Sequence, residues 1–363
     1  MMRAFVFAAA LFVFSEGAMG GEYELMNPPP PPNTRFDNGR LSVSFGPWAT
    51  VGRDHVQTSA PYRPFYQPPA EGGGSAGTSL DFSGIDCVWY MLSAELKLKH
   101  GFSLGAEYGF AGVDDGPGYI HDWYSRPGGD LYFTPSPNPT VWHNPDMRDY
   151  SAVRAKLDGS SKIASAAVYY RLLYHTVDTF GYRRGLGTLD LFVGYSGYSD
   201  SLHLTNGSQL LSDQPDTKSP PYKPPTEVGP ISGMNSHYNV RWEGMKIGAR
   251  ERLIIRPRWS LYGTISWWPG MKYTGEGYWN WRTNGAQNVL YTADGTQIDY
   301  MVSLSYAYSR RVSFEAGYRG IEWYSRSGTG TIRNTDGTVY AVNVDSAQSS
   351  RKGWFFHITI RGG

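Results

Sequence analysis

The residues best suited to catalysis in this sequence are His121 and Asp122, which stand next to each other in Ile120-His121-Asp122-Trp123. A histidine can take a proton from water near neutral pH, and a carboxylate can orient the ring or hold the water. Adjacent residues of a strand point to opposite faces, but a loop does not impose this. His121 and Asp122 therefore have side chains suited to general acid–base chemistry, but their adjacency alone does not identify a reaction.

A second group of candidates lies in the aromatic stretch Tyr278-Trp279-Asn280-Trp281-Arg282. Trp and Arg side chains are enriched at binding hot spots and can stack on sugars or peptides. Trp279, Trp281 and Arg282 are therefore our candidate binding residues. The alternative is that these rings belong to an aromatic girdle at a membrane interface.

No set of residues has a spacing that predicts a metal site. Asp114-Asp115-Gly116 has residue types found in calcium loops, but a solvated loop tip explains one short acidic pair better. Cys87 is the only cysteine, so neither an intrachain disulfide nor a cysteine metal cluster can form. We expect Cys87 to be a small buried side chain, and we expect no metal and no cofactor.

The elements that would position these candidates are strands of alternating apolar and polar residues. The clearest runs from Phe102 to Ala111, where one face is Phe, Leu and Tyr and the other is Ser, Gly and Glu107. One face of such a strand suits lipid and the other suits a polar interior. Inside a bilayer every backbone group must be satisfied within a closed sheet. The pattern predicts an all-β fold, a ten-stranded antiparallel transmembrane β-barrel.

The predicted strands cover residues 41–57, 84–99, 102–111, 150–174, 188–204, 237–255, 259–282, 297–309, 312–327 and 352–360. Gly- and Pro-rich segments between them predict loops, and Asn206-Gly207-Ser208 predicts a hairpin turn. A phase change near Gly244 predicts a bulge. Long connections alternate with short ones near residues 100, 180, 257 and 310, as in outer-membrane barrels. A soluble β-sandwich is the competing fold, although its strands are usually shorter.

The N-terminus predicts export from the cytoplasm. Met1-Met2-Arg3 is positive, Ala4 to Phe14 is apolar, and small residues follow to Gly20, which predicts a signal peptide at residues 1–20. Residues 21–39 are predicted to be a Pro-rich periplasmic tail, and residues 40–363 the barrel. We expect the outer membrane of a Gram-negative bacterium, with extracellular loops and periplasmic termini. The net charge of +1 argues against a nucleic-acid partner.

Charged residues at inward positions predict a polar network inside the barrel. Arg250, Glu251 and Arg252 lie on one predicted strand, and Glu95 and Lys97 on another. A small barrel fills its lumen with side chains, and charged side chains there need partners. The network argues against a wide pore and leaves a narrow channel as one candidate function.

The order of strands and loops over about residues 38–361 resembles the omptins, outer-membrane proteases that are ten-stranded barrels with five extracellular loops. Arg40–Gly46 resembles the first strand of that family, and Lys97–Trp123 its second hairpin and the following loop. Val240–Gly275 resembles its sixth and seventh strands, which end in a Tyr-Thr-Gly element at Tyr273–Gly275. The resemblance implies an omptin-like barrel in contact with outer-membrane lipid, including lipopolysaccharide.

The resemblance also implies a place for catalysis, and there the chain departs from the family. Omptins activate a water between an acidic pair on one wall and an Asp–His pair on the other. The first motif, Asp-x-Asp-Trp, retains its second Asp as Asp122 but has Ile120 in place of its first. The second motif should follow Tyr273–Gly275, yet Glu276–Thr283 contains neither Asp nor His. The resemblance therefore implies that Asp122 and His121, our candidate catalytic residues, are remnants of a protease site that hydrolysed peptides with an activated water.

We therefore expect a non-proteolytic barrel. Its long loops would bind an extracellular protein or glycan in the manner of an adhesin, or the barrel would have a structural role in the envelope. A divergent omptin-like endopeptidase is the alternative, and a narrow channel is the third candidate.

Overall fold

The computed structural model describes residues 40–62, 74–125, 147–179, 183–212, 228–280 and 286–362. The signal peptide and tail predicted for residues 1–39 lie outside these ranges and stay predictions. Among the described residues there is no helix long and apolar enough to cross a membrane.

Regular structure in the described ranges consists of antiparallel strands. They are β1 (Leu41–Tyr62), β2 (Gly74–Ser83), β3 (Cys87–Lys97), β4 (Phe102–Ser125), β5 (Met147–Thr179), β6 (Arg183–Ser212), β7 (Gly229–Pro230), β8 (Asn235–Arg256), β9 (Trp259–Trp279), β10 (Gln287–Ala307), β11 (Val312–Asn334) and β12 (Val339–Gly362).

Pairing between neighbours closes the sheet into a ring of ten strands. β1 pairs with β12 from Leu41–Gly362 to Ser59–Asn343, which joins the first strand to the last. β2 and β3 together form one strand of the ring, because they pair with successive halves of β1 and are separated only by residues 84–86. The short β7 adds a pairing at the edge of β6. The ring confirms the predicted ten-stranded antiparallel barrel.

Large apolar side chains face outward on one half of the barrel, which we call the belt. They are exposed although apolar, as a surface in contact with lipid must be. The belt consists of Leu41, Phe45, Val51, Val88, Tyr90, Leu92, Leu96, Leu98, Phe102, Leu104, Tyr108, Phe110, Val168, Tyr170, Leu172, Leu191, Val193, Tyr195, Met245, Ile247, Trp259, Trp267, Leu304, Tyr308, Trp354, Phe356 and Ile360.

The belt ends at tight turns, and we call this end of the barrel the turn end. The described turns are residues 98–101, 257–258 and 308–311, which confirms the short connections predicted near 100, 257 and 310. The connection predicted near 180 lies outside the described residues. The opposite end, beyond the belt, is the loop end.

Several strands run further towards the loop end than the sequence predicted. β1, β2, β4 and β10 include residues 58–62, 74–81, 112–125 and 287–294, which were expected to be loops. β12 begins at Val339 after a tight turn at residues 335–338, where a long loop was expected. The strands are therefore tall hairpins that rise well beyond the belt.

Three local predictions concern irregularities in the strands. The register between β8 and β9 shifts between Glu243 and Ile247, which confirms the bulge expected near Gly244. Asn206 has a φ of 51° inside β6, so the predicted hairpin turn is instead a bulge. Asp114 is exposed at a register shift in β4 rather than at a loop tip. Bulges accept the turn-like residues that misled the prediction.

The polarity of the two faces inverts between the halves of the barrel. In β10, Val289 and Tyr291 point inward beyond the belt and are buried. On the same face within the belt, Asp299 and Ser303 are buried instead. Where water surrounds the barrel the apolar residues turn inward, and where lipid surrounds it they turn outward. This inversion explains why the alternation seen from the sequence stopped short of the true strand ends.

Candidate functional site

The candidate catalytic residues lie within β4 rather than in a loop. Ile120 pairs with Leu80 of β2 and Val153 of β5, and all three side chains are buried in the apolar core. Ile120 therefore packs as a core residue at the position where the family resemblance implies a catalytic carboxylate. The sec-butyl side chain of isoleucine can neither accept a proton nor hold a water.

Asp122 points inward like Ile120, because residues two apart on a strand share a face. Its side chain is fully buried and accepts a hydrogen bond of 2.8 Å from Thr78 Oγ1. Thr58 Oγ1 in turn donates to the carbonyl oxygen of Thr78 at 3.2 Å. A buried carboxylate needs donors of this kind, so Asp122 is positioned by a polar ladder across β1, β2 and β4.

His121 leaves β4 on the opposite face from Asp122. Its ring centroid is 6.4 Å from that of Tyr119, two residues earlier on the same face, and the side chain is buried. The structure therefore does not place His121 and Asp122 on one face, as a base and its orienting carboxylate would require. Their catalytic assignment stays a prediction.

A charged cluster lies on the outer wall beside His121, beyond the belt. Arg53 Nε donates to Asp81 Oδ1 at 3.0 Å, and Asp81 stands opposite His55 on β1 and Tyr119 on β4. Burial lowers the pKa of His55, an effect that the negative charge of Asp81 opposes. His55 faces away from the lumen, opposite Asp81 on the outer wall.

Trp279, the first candidate binding residue, is the last residue of β9. Its ring stacks on that of Tyr238, with 5.9 Å between centroids and 17° between planes, and it is only 4% exposed. Trp279 therefore points into the barrel, and neither an outer girdle nor a surface contact describes its position. Trp281 and Arg282 lie outside the described residues, and the binding role of all three stays a prediction.

Phe82, Tyr238, Tyr273 and Trp279 form what we call the upper aromatic core. The rings of Phe82 and Tyr238 are 5.7 Å apart, and the hydroxyls of Tyr238 and Tyr273 bond to each other. Gly275 passes beneath both hydroxyls, since a Cβ there would lie 2.3 Å from Tyr238 Oη and 2.5 Å from Tyr273 Oη. Packing thus accounts for the glycine of the Tyr-Thr-Gly element.

Four further rings cross the lumen closer to the belt, and we call them the lumen plug: Trp48, Trp89, Tyr198 and Trp323. Successive centroids are 5.7, 6.3 and 4.3 Å apart, and each side chain is 2% exposed or less. They come from the paired strands β1 and β3, from β11 on the other side of β12, and from β6 on the opposite wall of the ring. Aromatic side chains at these spacings exclude water from the middle of the barrel.

A buried ion triad lies against the plug. Arg351 Nη2 is 2.6 Å from Asp200 Oδ2 and 3.1 Å from Asp54 Oδ2, and all three side chains are essentially unexposed. The guanidinium carbon also lies 5.3 Å from the ring centroid of Tyr198. The sequence analysis did not predict this triad. The available signal was a charged residue at an inward position on each of three strands.

Between the plug and the turn end is a polar chamber of about 220 Å³. Arg250 bonds Glu95 at 2.7 Å and Asp190 at 2.8 Å, while Arg319 bonds Glu107 at 2.8 Å and Asp299 at 2.9 Å. These pairs satisfy the charges that a small barrel places in its lumen.

The predicted interior network is therefore confirmed for Glu95 and Arg250, and Lys97 and Arg252 also line the chamber. The placement of Glu251 in the network was wrong. Glu251 alternates to the other face of β8 and lies 3.1 Å from His175. Cys87 is buried in β3, as predicted.

A comparison with solved structures identifies the fold. The outer membrane protease OmpT of Escherichia coli superposes with a TM-score of 0.65, at 11% sequence identity, over 90% of this chain and 98% of that chain. The chain therefore has the fold of an omptin-like outer-membrane β-barrel. At this level of sequence identity, the comparison establishes the fold but not the activity.

Two other barrels align with lower scores. The translocator domain of the autotransporter NalP from Neisseria meningitidis has a TM-score of 0.30, at 11% identity, over 99% of this chain and 96% of that chain. A FadL homologue from Pseudomonas aeruginosa has a TM-score of 0.27, at 12% identity, over 90% and 91%. Scores this low support no argument. No protein-family model matches the sequence, and no curated protein matches it.

Proposed function

We propose that this chain is a non-proteolytic protein of a Gram-negative outer membrane, distantly related to the omptins. In this proposal its long connections are extracellular and its termini periplasmic. The long connections bind a surface partner, either a protein or a glycan, as an adhesin does. Alternatively, the barrel has a structural role in the envelope. The apolar belt and the signal-like N-terminus support the location.

The observation that carries the non-proteolytic proposal is the dry interior near Ile120. Water activation needs a polar cleft with a general base and room for a water. The upper aromatic core instead packs Phe82 against Tyr238 and Tyr238 against Trp279, and Ile120 belongs to the same apolar cluster. Asp122 is engaged with Thr78 in this interior, which favours a structural role for its carboxylate.

A peptidase assay tests the alternative function, that of a divergent endopeptidase. The folded barrel, with lipopolysaccharide present, is incubated with a peptide library beside an Asp122→Ala variant and a His121→Ala variant. We expect no cleavage by any of the three. Cleavage by the wild type that disappears in Asp122→Ala would sink the proposal and establish a protease rebuilt on one wall.

A narrow channel is the third candidate, and the lumen plug argues against it. A continuous pathway for ions needs water along the whole lumen, whereas Trp89, Tyr198 and Trp323 are packed together across it. We expect no discrete conductance steps from the wild-type protein in planar bilayers. Regular steps in protein that is demonstrably folded would favour the channel.

The surface-binding role is tested by removing a connection at the loop end. Residues 213–227 join β6 to the short β7, and their removal leaves both strands intact, unlike removal of residues 205–236. The shortened barrel should still fold, which the heat-dependent gel mobility of the barrel reports. It should also lose binding to host-cell surfaces or glycan arrays that the wild type retains. Equal binding by both proteins would remove this connection from the proposal.

The lipid partner in this proposal is outer-membrane lipid, with lipopolysaccharide as a bound molecule, and no cofactor is required. Co-purification of lipopolysaccharide with the folded barrel, measured against a detergent-extracted control barrel, tests this part separately.

A further inference from the structure

Exposed cations stand at each described turn of the turn end and just before β1. These cations, which we call the collar, are Arg40, Lys99, Arg256, Arg258, Arg310 and Arg311. They stand before β1, in the turn between β3 and β4, at the turn between β8 and β9, and in the turn between β10 and β11. None of the six has an ion pair with a carboxylate of the described residues.

Carboxylates near this end face elsewhere. Glu95, Asp190 and Glu315 line the interior chamber, where the first two bond Arg250. Glu251 faces outward, but it lies deeper along β8 and is bonded to His175 at 3.1 Å. The outer rim of the turn end therefore presents uncompensated positive charge over the described turns.

The height of the collar along the barrel axis is indicated by Trp259 of the belt and by Tyr306, which packs beside it. Trp259 directly follows Arg258, and its ring lies 4.8 Å from that of Tyr306. Arg258 Nη1 donates to Tyr306 Oη at 3.3 Å. Trp and Tyr rings concentrate where hydrocarbon meets headgroups, so a cation bonded to one of them lies in the headgroup layer.

We propose that the collar binds the phosphodiester groups of anionic phospholipid, of which phosphatidylglycerol is the simplest, in the leaflet at the turn end. The collar is spread round the perimeter rather than gathered on one side, which suits a shell of lipid better than one macromolecular partner. Arg and Lys close to an anionic membrane surface gain energy from it, and salt screens this attraction. The inference rests on the proposed membrane location.

Quenching of tryptophan fluorescence by brominated lipid tests the collar in the full-length folded protein. Trp259, Trp267 and Trp354 lie on the belt and report contacting lipid. The protein is reconstituted in phosphatidylcholine vesicles that contain equal fractions of brominated phosphatidylcholine or brominated phosphatidylglycerol. The variant combines Arg256→Gln, Arg258→Gln, Arg310→Gln and Arg311→Gln. The control combines Arg241→Gln, Arg326→Gln and Arg333→Gln, which remove exposed cations towards the loop end.

Wild type and control should prefer phosphatidylglycerol several-fold, about fivefold for a lipid that gains one such contact. The preference should fall close to unity in the collar variant. It should also fall close to unity for the wild type in roughly 0.5 M salt, which screens most of the attraction. Equal quenching of the wild type by both lipids would overturn the collar, as would an equal loss of preference in the control. No quenching by either lipid would instead overturn the membrane location itself.

Discussion

Arg351 of β12 and Asp200 of β6 are bonded across the lumen, with 2.6 Å between Nη2 and Oδ2. The same guanidinium reaches Asp54 of β1 at 3.1 Å. One side chain thus connects the two strands of the closing seam with the opposite wall. Because the three groups are buried, their mutual pairing is what makes the charges tolerable there.

Replacement of Arg351 should therefore be costly. Arg351→Met leaves two buried carboxylates without their cation and should lower the free energy of unfolding by about 3–5 kcal/mol. Urea titration of the barrel in lipid vesicles, followed by tryptophan fluorescence, measures the change. Arg241→Met is the matched control, because Arg241 pairs with Glu243 on the exposed surface and should cost about 0–1 kcal/mol. Equal effects of the two substitutions would contradict the structural importance of the triad.

Gly275 should tolerate no side chain while Tyr238 and Tyr273 keep their hydroxyls. Gly275→Ala should lower the free energy of unfolding by about 1–3 kcal/mol through overpacking. Tyr238→Phe should recover part of that loss, because it removes the atom 2.3 Å from the new Cβ. Gly112→Ala, which meets nothing within 4 Å, serves as the control. Strictly additive effects of Gly275→Ala and Tyr238→Phe would argue against this packing.

The bond between Thr78 and Asp122 should appear as a coupling energy. In a double-mutant cycle of Thr78→Val and Asp122→Asn, we expect about 1.5–3 kcal/mol of interaction, as for hydrogen bonds to charged groups. Urea unfolding of the two single variants and the double variant gives the value. A coupling near zero would show that Asp122 is held by other contacts and would reopen its role in chemistry.

Removal of the lumen plug should open the barrel. In the Trp89→Ala, Trp323→Ala double variant we expect conductance in planar bilayers where the wild type has none, because two of the four rings are gone. Trp354→Ala is the matched control, since Trp354 is 71% exposed on the belt. An unchanged, silent double variant that remains folded would show that the upper aromatic core or the chamber seals the lumen alone.

The belt half of the barrel could be predicted from sequence because its alternation is directly readable. Phe102, Leu104 and Tyr108 face lipid, and Glu107 faces the chamber, where it meets Arg319 at 2.8 Å. Which cation pairs with Glu95 was not foreseeable, because several cations line the chamber, but the inward position of Glu95 and that of Arg250 were. Local patterns of period two contain this information.

The loop-end half could not be predicted in the same way. Residues 112–125 contain Gly116, Pro117 and Gly118, which favour a loop by local propensity, yet cross-strand pairing with β2 and β5 holds them in β4. The inward burial of Trp279 likewise depends on Tyr238, a residue distant in sequence. Triads such as Asp54, Asp200 and Arg351 join strands that only closure of the ring brings together.

Because the polarity of the faces inverts along the strands, one half of this barrel has a surface suited to lipid and the other half a surface suited to water. The same substitution should therefore change the free energy of unfolding differently at two heights of one strand. A lysine in place of outward Leu304 would face hydrocarbon, whereas a lysine in place of outward Thr292 would face water. Detergent has to cover only the belt. Antibodies, labels and inserted peptides can therefore be placed on the protruding hairpins without disturbing the lipid-facing wall.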